Sequence, residues 1–155
     1  MEATVDWQIG KSLPDRMKYM LHNQLMCDVT FNVGSEKLPI RAHKFMLASA
    51  SPVFHSMFEG PLAEKGDVEI ADIAPEHFSM LLEYIYTDTI IIDSMNIKGL
   101  IYGSEKYMIK NLRAKCDKFL TSNVNTKHTT IFLSKRRLGD TIRVVRCKED
   151  IDDKA

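Results

Sequence analysis

The sequence lacks the features that mark most catalytic, metal-binding and membrane-spanning chains. It has three cysteines in 155 residues, Cys27, Cys116 and Cys147. The number is odd, the spacings are wide and no C-x-x-C occurs, so neither a disulfide framework nor a zinc site is expected. Cys27 and Cys116 sit in apolar surroundings and read as buried thiols. A reducing compartment suits such usage, the cytoplasm first and the nucleus as the alternative. Charge of one sign is also lacking. The 21 basic and 21 acidic residues cancel to a formal net charge of zero. No overall basic field exists to draw the chain onto nucleic acid or an anionic membrane, so neither is expected as a partner. No apolar run approaches the ~18 residues a membrane helix needs. The N-terminus carries Glu2 and Asp6 without an apolar core, which is not the pattern of a secretory signal. The five histidines, His22, His43, His55, His77 and His128, form no H-E-x-x-H and no metal-ligand spacing. No G-x-S-x-G, phosphate-binding loop or G-x-G-x-x-G is present, and Ser49 between His43 and His55 is not a triad. The expectation is a chain that is not an enzyme, without cofactor or metal. Internal repeats and low-complexity segments are absent too.

What is present is a dense run of structural signals from Cys27 to Phe58. Val29, Phe31 and Val33 alternate with polar residues, as in a half-buried strand. Gly34-Ser35-Glu36-Lys37 supplies a turn, and Leu38 to Ala42 can return as a second strand. Two short apolar helices follow, the second opened by Ser51 as N-cap and Pro52 at the first helical position. Upstream, Leu13-Pro14-Asp15-Arg16 opens a helix on which Met17, Met20, Leu21 and Leu25 fall at helical spacing. From Pro75 to Tyr86, Phe78, Leu81, Leu82, Ile85 and Tyr86 repeat at i, i+3, i+4, i+7 and i+8, which predicts one buried face. Further strands are expected near 68–71 and, from the β-branched run Thr89-Ile90-Ile91-Ile92, near 89–92. Asp93 or Ser94 can cap the next helix, whose stripe is Ile97, Leu100, Ile101, Ser104 and Met108. Gly99 and Gly103 inside that helix cost about 1 kcal/mol each relative to alanine. Their spacing suggests close approach of a neighbouring helix, with mere tolerance as the alternative. Leu112, Cys116, Phe119 and Leu120 mark a last long helix. So small a sheet needs helices to complete the core. The expected fold class is α/β, a small mixed sheet beside a cluster of five or six helices.

The order of these motifs resembles the BTB/POZ family. The run Cys27 to Phe58 is similar to that family's opening. Gly60-Pro61-Leu62-Ala63-Glu64, then Val68 to Ile73, then Pro75-Glu76-His77-Phe78, continue the likeness. Leu82 to Asp88 resembles its helix-ending tyrosine motif, and Lys106-Tyr107 with Leu112 to Cys116 its last two helices. The match covers about residues 13 to 133. The flanking Val5-Asp6-Trp7-Gln8 and Asn23-Gln24-Leu25 look like the subgroup that pairs this domain with BACK and PHR domains. On that basis residues 1–12 are a flank, 13–123 the BTB domain, and 124–140 a helix that begins a BACK-like segment. After Asp140 the likeness stops, and 141–155 reads as a disordered charged tail of a shortened chain.

The resemblance implies a protein-interaction module: a homodimer that links a substrate to a cullin-RING ubiquitin ligase through the amino-terminal domain of the third cullin. Other BTB proteins are possible partners. An assembly module unrelated to ubiquitination, in a transcriptional regulator or scaffold, is the alternative. Leu62 and Glu64 match a hydrophobic-x-Glu element that contacts the cullin, with Met57, Phe58 and Tyr107 as further contacts. Tyr107 is the one whose polar-tipped ring suits a surface. The helix bearing Met17, Met20, Leu21 and Leu25, with Trp7 upstream, corresponds to the dimer interface. Asp28, His43 and Lys44 correspond to a charged pocket at the dimer surface. From the residues alone, a strand-end cap for Asp28 and a satisfied core position for His43 are the competing readings.

Overall fold

The computed structural model describes residues 6–123, together with 131–133 and 144–146. Helix α1 (Leu13–His22) precedes strands β1 (Val29–Val33) and β2 (Leu38–Ala42). Helices α2 (Lys44–Ala50) and α3 (Pro52–Glu59) lead to β3 (Val68–Ile70). Then come α4 (Pro75–Thr87), α5 (Ile97–Lys106) and α6 (Lys110–Asn123). Strand β1 is the centre of a three-stranded mixed sheet, antiparallel to β2 and parallel to β3. The α/β expectation therefore holds, with six helices among the described residues.

The sheet follows from the alternation in β1. Val29, Phe31 and Val33 are buried, while Thr30 and Asn32 are half-buried. Pro39, which has no N–H for a ladder, lies on edge strand β2. Phe31 then meets Phe54 and Phe78 edge to face, at ring distances of 5.9 and 5.0 Å. Ser51 caps α3 through its hydroxyl, which accepts the Phe54 N–H and donates to the Tyr107 carbonyl at 2.5 Å. One short side chain thus starts a helix and ties it to the turn between α5 and α6.

Helix α4 is the hub. The sequence predicts one buried face, yet Tyr84 is buried along with Phe78, Leu81, Leu82 and Tyr86, and Ile85 is half-buried. The reason is that α1, α2, α5 and β2 all pack against it. Against α5 the approach is close. A Cβ on Gly103 would stand 2.3 Å from Leu81 Cδ1, and one on Gly99 2.2 Å from His77 Nδ1. The two glycines therefore serve helix contact.

Three expectations fail. Residues 89–92 form no strand. Asp88, at φ +58°, ends α4, and the run beyond it is irregular, with Ile91 84% exposed. Its β-branched side chains favour a ladder, but no strand runs beside it among the described residues. Met108 is not in the buried stripe of α5. At φ +52° it sits just past the helix end, where the N–H groups of Met108 and Ile109 bond back to Glu105 and Ser104. That capping arrangement turns its side chain outward. Finally, Ile131–Leu133, expected within a helix, is a strand, β4. It pairs antiparallel with β5 (Val144–Arg146), which falls in the segment expected to be a disordered tail. β-Propensity in Ile131-Phe132 and Val144-Val145 outweighs the helical reading. The remainder of 124–155 lies outside the described residues.

Candidate functional site

The loop after α3 is built by the backbone. The Ala63 N–H bonds to the Gly60 carbonyl at 3.0 Å, and the Glu64 N–H to the Met57 carbonyl at 2.9 Å. These bonds fold residues 60–64 back over the end of α3 and leave Leu62 standing out, 93% exposed. Glu64 is exposed beside it and has no ion-pair partner among the described residues. An apolar side chain held clear of its own domain, next to an unpaired carboxylate, can enter an apolar cleft while the carboxylate meets donors at the rim.

Of the other residues expected at this contact, Met57 is half-buried against the core and Phe58 is buried in it. The expectation of a surface role for Tyr107 is wrong. Tyr107 is fully buried, its ring stacked 4.3 Å from Phe54, and its hydroxyl has no hydrogen-bond partner. Burial, the largest cause, drives its pKa well above the ordinary tyrosine value, so it stays neutral. Its ring is needed to fill the core between α3, α4 and α5. Its neighbour Met108 is the exposed residue of this turn. Nothing in the sequence marks a methionine for a left-handed position, so Met108 was not legible there.

The residues expected at a dimer interface divide. Leu21 is buried, facing α4, and Met17 packs partly on the same core. Lys18 and His22 bond to Glu83 of α4 at 2.7 and 3.1 Å, fixing α1 in place. The Lys18 hydrogen bond is the largest cause of the lowered Glu83 pKa. Met20 and Leu25 are half-buried. Trp7 stacks on Tyr19 at 5.1 Å with rings nearly parallel, which lays the N-terminal flank against α1. Exposed Ile9, Leu13, Met26 and Phe45 add apolar surface, none of it singled out by periodicity.

Asp28, His43 and Lys44 do come together, but mostly through structure-holding bonds. The Asp28 carboxylate accepts the Lys44 N–H at 2.8 Å and so caps α2 from outside the helix. The Lys44 ammonium stands 5.5 Å over the Phe58 ring, and no ion pair joins it to Asp28. His43 Nε2 lies 2.6 Å from the Leu25 carbonyl, which can only accept, so Nε2 carries hydrogen. In the neutral ring Nδ1 then accepts the Tyr86 hydroxyl at 2.7 Å, and that hydroxyl accepts the His43 backbone N–H. Tyr86 is a partner sequence spacing could not assign. The Cys27 thiol, 3.8 Å from Nε2, finds no base there. Burial raises its pKa, and pushes that of Cys116 up to about 11, so neither is a thiolate at neutral pH. Among the described residues no cluster of His, Cys, Asp and Glu could hold a metal ion, and no helix is long and apolar enough to cross a membrane.

Comparison with known proteins agrees with this geometry. The profile of the BTB/POZ domain matches residues 17–124. BTB/POZ domain-containing protein 6 of Xenopus laevis is 38% identical over 157 aligned positions, covering 97% of this chain and 29% of the relative. Protein 6-B of Danio rerio is 37% identical, covering 98% of this chain and 33% of its own length. Human BTB/POZ domain-containing protein 3 is 36% identical, covering 97% and 30%. The chain thus spans about a third or less of these relatives. The alignments also run beyond Asp140, where the sequence reading ends the likeness. With a β1-centred mixed sheet, a helical hub and a profile match over most of its length, this chain belongs to the BTB/POZ family, whose domains are protein-interaction modules.

Proposed function

We propose that this chain is a homodimeric adaptor that binds the amino-terminal domain of the third cullin in a cullin-RING ubiquitin ligase. The exposure of Leu62 on a hydrogen-bonded loop carries the reading. A side chain that contributes nothing to its own core is free to serve a partner's. Glu64 supplies the rim contact, and half-buried Met57, whose carbonyl holds the Glu64 N–H, adds apolar surface beside the loop. Phe58 and Tyr107 act from behind, as the packing that holds this face rigid. Dimerisation uses the outward side of α1, with Leu13 and Met20, and the flank anchored by Trp7. Two-fold symmetry uses each contact twice and doubles the ligase arms, which raises avidity for a substrate. Membership of the BTB/POZ family supports an interaction role.

Calorimetry with the recombinant cullin domain tests it. Leu62→Ala should weaken binding by about 2 kcal/mol, some thirtyfold, as loss of a buried anchor does. The melting temperature should not move, because Leu62 is solvent-exposed in the free protein. Equal affinity of both proteins, or no binding by either, would favour an assembly module unconnected to ubiquitination.

A further inference from the structure

The Leu62 loop has a second property, its charge. Glu59 closes α3, and Glu64 and Asp67 follow in the connection to β3; all three are exposed. None has an ion-pair partner among the described residues. Lys65 is the one cation of the loop. Three carboxylates against one ammonium leave residues 59–67 at a formal charge of −2, in a chain that is neutral overall. Lys44, the other cation near this end of α3, stands 5.5 Å over the Phe58 ring and pairs with none of the three carboxylates. The 2.9 Å bond from the Glu64 N–H to the Met57 carbonyl brings the loop back on itself, so Glu64 returns to the end of α3 that carries Glu59.

Two local rules are broken at this place. The C-terminal end of a helix is the negative end of its dipole, and a basic residue in the last turn suits it. Helix α3 has no basic residue there and ends instead on a carboxylate. Among the described residues, the Phe58 and Glu59 carbonyls accept no backbone N–H from the following loop, so the negative end of the helix is not neutralised by it. The like charges also flank Leu62, an apolar side chain left 93% exposed. Repulsion from the helix end, repulsion among the carboxylates and an apolar side chain in water each oppose folding. Nothing within the domain offsets them, and such local conflicts concentrate where a chain binds something else.

We infer that the partner face on this loop is basic: an apolar cleft for Leu62 ringed by lysine or arginine side chains, toward which the loop is steered by charge. The inference rests on the cullin reading above and adds the sign of the charge that the cullin face carries. Opposed rim charges act on the association rate and its salt dependence, whereas a buried apolar anchor acts on the dissociation rate. Stopped-flow kinetics of the whole chain with the recombinant cullin amino-terminal domain separate the two. The wild-type association rate should fall about tenfold as salt rises from about 0.05 to about 0.5 M. Glu59→Gln and Asp67→Asn should each slow association about two- to threefold at the lower salt, with dissociation unchanged and no difference at the higher salt. Glu59→Gln should melt no lower than wild type, because it removes a negative charge from the negative end of α3. Leu62→Ala should instead speed dissociation at every salt concentration. Association indifferent to salt and to both neutral variants, while Leu62→Ala still releases the partner, would overturn the basic rim and leave the cullin reading standing. Faster association of the neutral variants would overturn it as well, since it would make the partner face acidic. No binding by wild type, or no effect of Leu62→Ala, would remove the cullin reading and this inference with it.

Discussion

Replacing Gly103 with alanine is a sharp test of how the α4–α5 contact sets this domain's shape. On an isolated helix the change should help by about 1 kcal/mol. Here the new Cβ would stand 2.3 Å from Leu81 Cδ1 and 3.2 Å from Leu81 Cδ2 and Cγ. Leu81 is 1% exposed, locked among core side chains with no space to swing into. Either α5 moves outward or Leu81 leaves its rotamer, a kind of overpacking that costs about 1–3 kcal/mol. The clash offsets or outweighs the propensity gain, and Gly103→Ala should lose up to about 2 kcal/mol net. Gly99 is the internal control. Its Cβ would meet His77, at 2.2 Å from Nδ1, but His77 is only half-buried and its ring can turn toward solvent. Gly99→Ala should stay within about 0.5 kcal/mol of wild type, clash and propensity nearly cancelling. Urea unfolding with circular-dichroism detection reads both. The midpoint for Gly103→Ala should fall, by up to roughly 1 M, at unchanged slope. If Gly103→Ala instead raised stability as an exposed glycine-to-alanine change does, the close approach of the two helices would be refuted.

Tyr107→Phe should raise stability by about 1 kcal/mol in the same assay, because it deletes a buried hydroxyl that bonds to nothing; a loss of more than that would mean the hydroxyl has a partner. Glu83, whose pKa is held below the ordinary 4.5 first by its Lys18 hydrogen bond and then, against opposing burial, by His22, stabilises the fold at neutral pH. That contribution should be lost as pH falls from 4.5 through its folded-state value, and Glu83→Gln should flatten this acid limb without altering the rest of the pH profile. Met20→Asp should weaken self-association while leaving unfolding cooperative, whereas Leu21→Asp should unfold the chain because Leu21 faces α4; sedimentation and thermal melts separate the two.

Much of the scaffold was legible because its signals are local. The alternation of Val29, Phe31 and Val33, the Ser51-Pro52 helix start and the i, i+3, i+4 pattern of α4 each specify an element without outside help. The failures share a physical origin in long-range partners. Thr89–Ile92 has strand propensity but no neighbour to pair with. Ile131–Leu133 became a strand through pairing with residues thirteen positions on. Tyr107 could not be told from a surface aromatic until Phe54 was seen stacked on it. Its neighbour Met108 depends on a left-handed helix end that no residue type in the turn announces. Leu62 and Glu64 stand out only through family likeness, since a hydrophobe-x-Glu tripeptide means little by itself. What the fold adds is the pair of backbone bonds that keep Leu62 off its own core.

Sedimentation of the chain mixed with the cullin amino-terminal domain tests the central proposal most directly, because it reads dimerisation and cullin binding in one mass. A particle of two chains and two cullin domains, lost on Leu62→Ala while the chain's own dimer persists, is the predicted result. Two species that sediment apart at micromolar concentration, or a complex indifferent to Leu62, would contradict it.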